Sequence, residues 1–219
     1  MSALPPIIPR ESWLAARERL LEREKELTRA RDALNGERPR LGMVRVETDY
    51  VFEGPAGRAG LADLFEGRRQ LVVHHFMFDP SWDDGCPSCS WAADELSEGR
   101  LRHLHEGDTA FAAVSLAPIA KIEDYRNRRG WTFPWYSSYG SDFNRDFGVT
   151  VGEDGTYNYR RGVAEPGEYP GYSCFLRDGD AVFHTYSTFA RGTESVGGAH
   201  YFLDLTALGR QQEFERQYG

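Results

Sequence analysis

The stretch that decides the fold reads LVVHHFMF-DPSWDDG-CPSCSW and occupies residues 71–91. Its first part is apolar and rich in β-branched and aromatic residues, which predicts a buried strand, and its second part is a polar turn. A Cys-x-x-Cys pair, Cys86 and Cys89, then opens a predicted helix, with Pro87 in the first turn, where a proline is tolerated. A strand, a turn and a dithiol at a helix start are typical of a redox-active pair.

The position of the two cysteines favours thiol chemistry. Backbone N–H groups at a helix N-terminus stabilise a thiolate and therefore lower a thiol pKa. We interpret Cys86, nearer the helix start, as the attacking thiol and Cys89 as the thiol that resolves the mixed disulfide. The aspartates of the turn at 79–85 would raise the pKa if they lie close to the thiol. No lysine or arginine occurs in residues 73–98 to oppose them.

Four other side chains are candidate supporting residues of the dithiol: His75, His184, Trp82 and Cys174. Alternation along a strand sends His74 and His75 to opposite faces, so at most one of them serves the dithiol. Trp82 would wall a substrate cleft, or belong to the core. Cys174 would lie on a strand next to the dithiol, or be a small buried side chain with no chemical role.

Composition limits the classes of function. The chain has 219 residues, of which 40% are hydrophobic, enough for the core of one domain with an extended arm. A net charge of −8 argues against a nucleic acid or an anionic membrane as partner. No apolar run is long enough for a membrane span and no secretory signal opens the sequence, so we expect a cytoplasmic protein. Three cysteines in that reducing compartment favour a catalytic or sensing pair.

The first part of the chain differs in character from the rest. We predict an extended leader and a charged helix in residues 1–38, and the globular domain in residues 39–219. Apolar residues recur every seven positions from Trp13 to Leu34 in the helix. This narrow seam indicates packing along the domain surface, and a homodimerisation arm is the alternative.

The order of elements predicts the fold class. The strand at 71–78 and the dithiol helix, extending to about Leu104, precede a second buried strand at 109–116 and a helix at 118–129. Strand, helix and strand at this spacing imply a right-handed unit with parallel strands. An Asp-Gly turn at 178–180 between alternating runs predicts a β-hairpin. The sequence therefore predicts an α/β, thioredoxin-like fold, a βαβ unit plus a hairpin, with an N-terminal helical arm.

The chain also resembles a known family, the bacterial thioredoxin-like domain of unknown function 899, whose members are described as predicted dithiol–disulfide oxidoreductases. This resemblance implies a thioredoxin-like fold and thiol or disulfide substrates, either small molecules or proteins. The matching segments, spread over nearly the whole chain, are WLAAR (13–17), KELTRARD (25–32), YVF (50–52), HFMF (75–78), GCPSCS (85–90), GWTFPW (130–135), SDFN (141–144), DFGV (146–149) and FHTYS (183–187).

Two departures from ordinary thioredoxins indicate a specialised substrate or a metal. The loop between strand and dithiol, residues 79–85, is longer than usual. Thioredoxins also place a cis-proline opposite the dithiol, just before the third strand. The equivalent place here, near Tyr172 and Ser173, has no proline, and Pro170 lies two residues earlier than Tyr172.

A metal site is the alternative function. Half of a zinc knuckle would need a second ligand pair. His184 is predicted to share a strand face with Val182 and Tyr186, and here the chain resembles the Sco-type copper chaperones, thioredoxin-like proteins that bind copper through a cysteine pair and a hairpin histidine. Cys86, Cys89 and His184 would then hold copper, another soft metal or zinc. The leading interpretation, a dithiol oxidoreductase, requires no cofactor.

Overall fold

The computed structural model of the chain describes residues 4–196 and 198–208. Short 3₁₀ turns within them cover Arg38–Arg40, Asp63–Phe65 and Ala190–Val196. The other elements are, in chain order, α1 (Arg10–Glu37), β1 (Val44–Arg45), β2 (Val51–Gly54), β3 (Gly57–Gly60), β4 (Gln70–His75), α2 (Pro87–Asp94), α3 (Glu98–Glu106), β5 (Thr109–Ser115), α4 (Ile119–Arg129), β6 (Trp135–Ser137), α5 (Phe143–Asp146), β7 (Thr150–Val151), β8 (Gly167–Glu168), β9 (Gly171–Asp178), β10 (Ala181–Phe189) and α6 (Ala199–Leu203).

The described residues group into two units. Residues 43–196 form the unit that carries the sheet, and residues 4–42 group with residues 198–208. The division predicted between residues 38 and 39 stays a prediction. No described helix is both long enough and apolar enough to cross a membrane.

Helix α1 forms where the sequence is rich in good helix formers, and it ends at Glu37, within the range 1–38 predicted for the leader and helix. A 3₁₀ turn that contains Pro39 follows it directly. Charged pairs on its surface, such as Arg17 with Glu24 at 2.8 Å, contribute little to stability because they are exposed. No residue of α1 is buried. Its role as a surface-packing helix or a dimerisation arm stays a prediction.

The sheet of the larger unit has the strand order β1-β10-β9-β4-β5-β6-β2-β3. Strand β4, from the decisive stretch, lies at its centre, parallel to β5 and antiparallel to β9. Strand β6 extends the parallel part next to β5, and β9 and β10 form the predicted hairpin on the other side of β4. A parallel βαβ unit beside an antiparallel hairpin is the predicted thioredoxin-like arrangement, so the fold class is confirmed.

Two apolar clusters cover the two faces of the sheet because side chains alternate along each strand. We call them the dithiol-side cluster and the far-side cluster. The buried members of the dithiol-side cluster include Phe76, Phe78, Cys89, Ala93, Phe111, Ala113, Ile122, Tyr125, Phe133, Trp135 and Tyr172. Those of the far-side cluster include Phe52, Leu64, Phe65, Leu71, Val73, Ala110, Ala112, Val114, Phe143 and Phe175.

The predicted helix from the dithiol to Leu104 is wrong in one respect, since it is two helices. Helix α2 ends at Asp94, and α3 begins after Ser97, whose hydroxyl accepts a hydrogen bond from the Arg100 N–H at 3.2 Å. A serine at this position satisfies a backbone donor that would otherwise have no partner, so it favours a new helix start. The next elements agree with the sequence: β5 is a strand, and α4 ends at Gly130 with φ of 70°.

Strand β10 contains an irregularity that the sequence does not predict. His184 pairs with Phe175, but Tyr186 pairs with Cys174, so Thr185 is an extra residue in a β-bulge. The bulge reverses the alternation beyond it. His184 and Tyr186 therefore lie on opposite faces, which corrects the prediction that they share one.

The segment between α5 and β9 returns to the sheet through the small β7–β8 pair. Glu168 on β8 is buried and accepts hydrogen bonds from Asn144 Nδ2, at 3.1 Å, and from the Thr150 hydroxyl. Burial raises the pKa of the Glu168 carboxyl, and these hydrogen bonds oppose the shift. Near the other end of the described chain lies the short helix α6, and the helix that we predict at the end of the tail falls on residues that include 209–219, which lie outside the described residues.

Candidate functional site

The dithiol lies where the chain returns to the end of the central strand. Cys86 is the residue before α2, and its N–H donates to the Met77 carbonyl at 3.0 Å, which fixes it beside the end of β4. The Cys86 carbonyl begins the helix by accepting the Ser90 N–H at 2.9 Å. The helix starts at Pro87, whose missing N–H costs nothing in a first turn.

The two thiols occupy different environments. Cys86 is half-buried, whereas Cys89 is 3% exposed and packs in the dithiol-side cluster. A hydrogen bond from the Cys89 thiol lowers the pKa of Cys86 to about 6, with further help from the Cys89 and Ser88 N–H groups, against the effect of burial. The same hydrogen bond and burial raise the pKa of Cys89 well above its ordinary value. At neutral pH the pair is therefore a partly exposed thiolate with a buried thiol behind it.

The acidic loop before Cys86 is held by basic residues of α4. Lys121 Nζ donates to the carbonyls of Pro80 at 2.8 Å and Trp82 at 2.6 Å. Arg128 binds Asp84 at 2.7 Å. The sequence around the motif lacks lysine and arginine, and the fold supplies them from a helix that follows the next strand. The largest cause of the lowered Cys86 pKa is instead the hydrogen bond from the Cys89 thiol.

Helix α2 is anchored from within the dithiol-side cluster. The Ser90 hydroxyl lies 2.8 Å from the Tyr125 hydroxyl and donates to the Cys86 carbonyl at 2.9 Å. Gly85 is buried against Phe76, because a Cβ built on it would lie 2.6 Å from Phe76 Cε1. The backbone on both sides of Cys86 is thus held by contacts with the core.

A tyrosine from β9 completes the wall around Cys89. Tyr172 packs with Cys89 in the dithiol-side cluster and stacks on the buried His74 ring at 4.5 Å, with 17° between the planes. Burial is the main cause that raises the pKa of Tyr172, and it also raises the pKa of Tyr157 to about 12. Proximity to Cys89 adds to both shifts. Tyr172 lies where the resemblance to thioredoxins places the residues opposite the dithiol, whereas the sequence carries no local signal for the position of Tyr157.

Pro170 is the residue directly before β9. It therefore lies just before the strand that corresponds to the third strand of thioredoxins, which follows their cis-proline. The described residues contain no cis peptide bond. The Pro170 carbonyl accepts a hydrogen bond from the Tyr157 hydroxyl at 2.7 Å, and that hydroxyl accepts one from the Ala190 N–H at 2.9 Å.

The candidate His75 faces away from the dithiol. Its ring packs against Phe143 and Phe147 on the far side of the sheet, and burial lowers its pKa to about 3. His74, its neighbour, is the histidine on the dithiol side. The two histidines therefore lie on opposite faces, as predicted. The one on the side of Cys89 is His74, whose ring stacks on Tyr172, and Tyr172 in turn packs with Cys89.

A buried hydrogen-bonded chain links His75 with His184 across three strands. His75 Nε2 contacts the Ser173 hydroxyl, Ser173 contacts the Ser187 hydroxyl, and Ser187 contacts His184 Nε2, each at 2.7 Å. The β-bulge makes this chain possible. Without the extra residue, His184 and Ser187, three positions apart, would face opposite sides of the sheet.

Counting protons shows that an imidazole of this chain must act as a donor. Two hydroxyl protons serve three contacts, so one imidazole must donate the third. A hydrogen bond with the Tyr186 backbone raises the pKa of His184, as a carbonyl acceptor does, while burial, the larger effect, lowers it. Nδ1 of His75 has no hydrogen-bond partner among the described residues.

The structure does not assemble the copper site predicted from Cys86, Cys89 and His184. Cys89 lies on the dithiol side, whereas His184 packs against Phe147 and Phe175 on the far side. Among the described residues, no group of three or more His, Cys, Asp or Glu side chains is placed to hold a metal ion. The register of the hairpin separates these ligands.

The two remaining candidates lie on the dithiol side. Trp82 packs at the edge of the dithiol-side cluster, half-buried, and its carbonyl accepts from Lys121. Cys174 pairs with Val72 on the sheet face that carries Tyr172, and its carbonyl accepts from the Thr185 hydroxyl at 3.0 Å. All three cysteines are thiols in this structure.

Solved structures with similar architecture include a cysteine-to-serine variant of peroxiredoxin Q from Xanthomonas campestris, with 13% identity, 66% of this chain and 83% of that chain covered, and a TM-score of 0.46. Peroxidoxin BcpB from Mycobacterium tuberculosis has 15% identity over 66% and 84% of the chains, with a TM-score of 0.46. A candidate protein disulfide isomerase from Bacteroides thetaiotaomicron has 17% identity over 82% and 99%, with a TM-score of 0.43. Likenesses this distant carry no argument about activity.

The search of curated proteins finds no match to this chain. A family profile, described as bacterial protein of unknown function (DUF899), matches residues 2–218. This match covers almost the whole chain and confirms the resemblance found in the sequence. The chain therefore belongs to the DUF899 family of bacterial proteins.

Proposed function

We propose that this protein is a thiol–disulfide oxidoreductase in which Cys86 attacks and Cys89 resolves. The observation that carries the proposal is the asymmetry of the pair. Cys86 is partly exposed with a pKa lowered to about 6, and Cys89 is buried behind it with a raised pKa. An attacking thiol is most effective when its pKa lies near the ambient pH, and a resolving thiol must stay protonated until the first step is complete.

The reaction balances with two thiols and one substrate disulfide. The Cys86 thiolate attacks one sulfur of the substrate, forms a mixed disulfide and releases the other sulfur as a thiolate. Cys89 then loses its proton to solvent or to the departing thiolate and attacks the Cys86 sulfur. This step closes the Cys86–Cys89 disulfide and releases the second substrate thiol. Two electrons pass from the protein to the substrate, and an external dithiol must reduce the protein again.

The surrounding residues support this chemistry through position. The Cys89 thiol stabilises the thiolate before attack, and the hydrogen bonds of Ser90 and Lys121 hold the helix start and the loop. Tyr172 excludes water from the side of Cys89 that faces the sheet. The substrates we propose are thiols or disulfides of small molecules or proteins. The dithiol needs no cofactor for this reaction, and no observation favours the copper alternative.

Titration with 5,5′-dithiobis(2-nitrobenzoic acid) tests the proposal, with Cys174→Ser as the parent so that only the dithiol reacts. The parent should release two equivalents of the coloured thiolate, one on attack by Cys86 and one on closure of the protein disulfide. Cys89→Ser should release one equivalent and keep the other half of the reagent on Cys86, visible by mass spectrometry. Cys86→Ser should react far more slowly, since Cys89 is buried.

Two results would contradict the proposal. One is a Cys86→Ser variant that reacts as fast as the parent. The other is a parent that releases a single equivalent and retains the adduct, because its cysteines would then not form a disulfide. Circular dichroism of each variant controls for loss of the fold.

A further inference from the structure

A cavity of about 210 Å³ lies on the far side of the sheet, beside the last residues of β10. Four aromatic rings line it: Phe147, Tyr157, Tyr159 and Phe189. His184 and Ser187 from the buried hydrogen-bonded chain also reach it. We call it the His184 cavity. It is separate from the dithiol, which lies on the opposite face of the sheet.

The rings of the wall contact one another in two groups. The Phe189 ring meets Tyr157 at 5.6 Å and Tyr159 at 5.5 Å, both edge to face. Phe147 meets the His184 ring at 5.2 Å with an angle of 82°. Phe189 and Tyr157 are buried, whereas Tyr159 is 74% exposed and stands at the rim. The cavity therefore has a closed aromatic floor and one aromatic side chain at its mouth.

The tyrosine, histidine and serine side chains of the wall already have hydrogen-bond partners. The Tyr157 hydroxyl donates to Pro170 and accepts from Ala190, and the Tyr159 hydroxyl donates to the Ser187 carbonyl at 3.2 Å. The His184 and Ser187 side chains bond to each other. A ligand that needs hydrogen bonds from these groups would have to break existing ones, which is costly in a buried site.

Asp146 differs from these residues because its side chain can still accept hydrogen bonds. Its Oδ2 accepts the Tyr50 hydroxyl at 2.5 Å, and a carboxylate with two oxygens retains further acceptor capacity. The residue is exposed and lines the cavity. No lysine or arginine is among the residues that line the cavity, and the lowered pKa of His184 keeps that ring neutral at neutral pH. The one charge on the wall is negative.

We propose that the His184 cavity binds a small organic cation of the alkylated ammonium type. Aromatic faces attract such a cation through their quadrupoles, and a quaternary ammonium needs no hydrogen bonds from its site. A single carboxylate supplies the counter-charge. The volume is below the roughly 300–1,000 Å³ of sites for drug-sized ligands, so it fits a headgroup of a few heavy atoms.

The backbone at the rim is consistent with a built site. Asn158 and Tyr159 both have positive φ, 49° and 63°, in a tight turn closed by the Tyr157–Arg160 bridge. A bulky side chain rarely adopts this conformation, and residues held in it concentrate at ligand-binding sites. Here the turn directs the Tyr159 hydroxyl to the Ser187 carbonyl, above the cavity.

Isothermal titration of the full-length protein with choline chloride tests the proposal. The matched control ligand is 3,3-dimethylbutan-1-ol, which has the same shape with a neutral carbon in place of the ammonium nitrogen. Choline should bind saturably and at least tenfold more tightly than the alcohol. Equal binding of the two ligands, or no saturable heat with choline, would overturn the proposal.

Variants of the wall assign the binding to this cavity. Tyr159→Leu removes one exposed ring and should weaken choline binding about threefold or more, whereas Tyr159→Phe keeps the ring and should bind as the parent does. Asp146→Asn should also weaken choline binding and leave the alcohol unaffected. Unchanged choline affinity in both Tyr159→Leu and Asp146→Asn would place the ligand elsewhere. If Tyr159→Leu fails to fold, Asp146→Asn alone decides.

Discussion

At the level of single residues, the reactivity of Cys86 depends most on one hydrogen-bond donor, the Cys89 thiol. The helix start contributes through the N–H groups of Ser88 and Cys89, and burial acts against both effects. In the proposed reaction, the partner thiol therefore sets the charge of the attacking thiol as well as resolving the intermediate. Reactivity of this kind is invisible in the spacing alone, because the same spacing occurs in metal sites.

Removing the donor should raise the pKa of Cys86. In Cys89→Ala the hydrogen bond is lost, and the midpoint of the iodoacetamide alkylation profile should move from about pH 6 upward by at least one unit, toward the ordinary value for a thiol. Cys89→Ser is the matched control, since its hydroxyl still donates and should keep most of the effect. Peptide mass spectrometry measures Cys86 separately from Cys174. Midpoints that stay near pH 6 in both variants would assign the low pKa to the helix start.

At the level of elements, the turn into α2 depends on a glycine with no room for a side chain. A Cβ on Gly85 would lie 2.6 Å from Cε1 of Phe76 and 3.0 Å from Cε1 of Tyr125, both core aromatics. Gly85→Ala should lower the free energy of unfolding by about 1–3 kcal/mol, as overpacking does. Urea denaturation measures the loss.

Gly99→Ala in α3 is the control for this substitution. The nearest atoms to a Cβ there are 3.8 Å and 3.9 Å away, an ordinary contact distance, and alanine is the better helix former. This variant should be as stable as the parent or slightly more stable. A Gly85→Ala variant with the parent's stability would mean that Phe76 and Tyr125 move apart at little cost.

The sequence predicts those elements whose signals are local. The apolar run of β4, the Asp-Gly turn of the hairpin and the glycine after α4 each lie within the element that they define. Ser97 followed by Glu98 is also a local signal, and it favours the separate start of α3. The bulge at Thr185 is different, because alternation continues through it in the sequence and only pairing with β9 reveals the extra residue.

The candidate site also contains some residues that local signals predict and others that only the fold brings together. The dithiol is a local motif, so Cys86 and Cys89 are readable from the sequence. Lys121 reaches the loop carbonyl of Trp82 from 39 residues away, and Tyr172 reaches Cys89 from another strand. Contacts of that kind depend on the strand order. The strand order likewise separates His184 from the cysteines, which a hairpin pattern alone leaves undecided.

At the level of the whole molecule, two buried histidines make stability depend on pH. Burial lowers the pKa of His74 and His75 to about 3 from 6.5, so the folded state holds them neutral while the unfolded chain takes up protons. Their contribution is complete above pH 6.5 and is lost as the pH falls from 6.5 toward 3. At pH 5 the loss is roughly 2 kcal/mol for each histidine.

Urea denaturation at pH 7.5 and pH 5 measures this dependence. The Glu168 carboxyl, with a raised pKa, acts in the opposite direction, because its folded state favours the protonated form. The comparison is therefore made against His75→Gln, which should lose roughly 2 kcal/mol less between the two pH values than the parent. Equal losses in the parent and in the variant would show that His75 titrates normally.

The two edge strands of the sheet affect how the protein behaves at high concentration. The outermost strands, β1 and β3, are two and four residues long, and each carries an exposed arginine, Arg45 or Arg58. Short, charged outer strands are poor templates for adding a strand from another molecule. Strands from other molecules could add to an eight-stranded sheet only at its two edges. We therefore expect these edge strands to protect the protein against aggregation into extended β-structure.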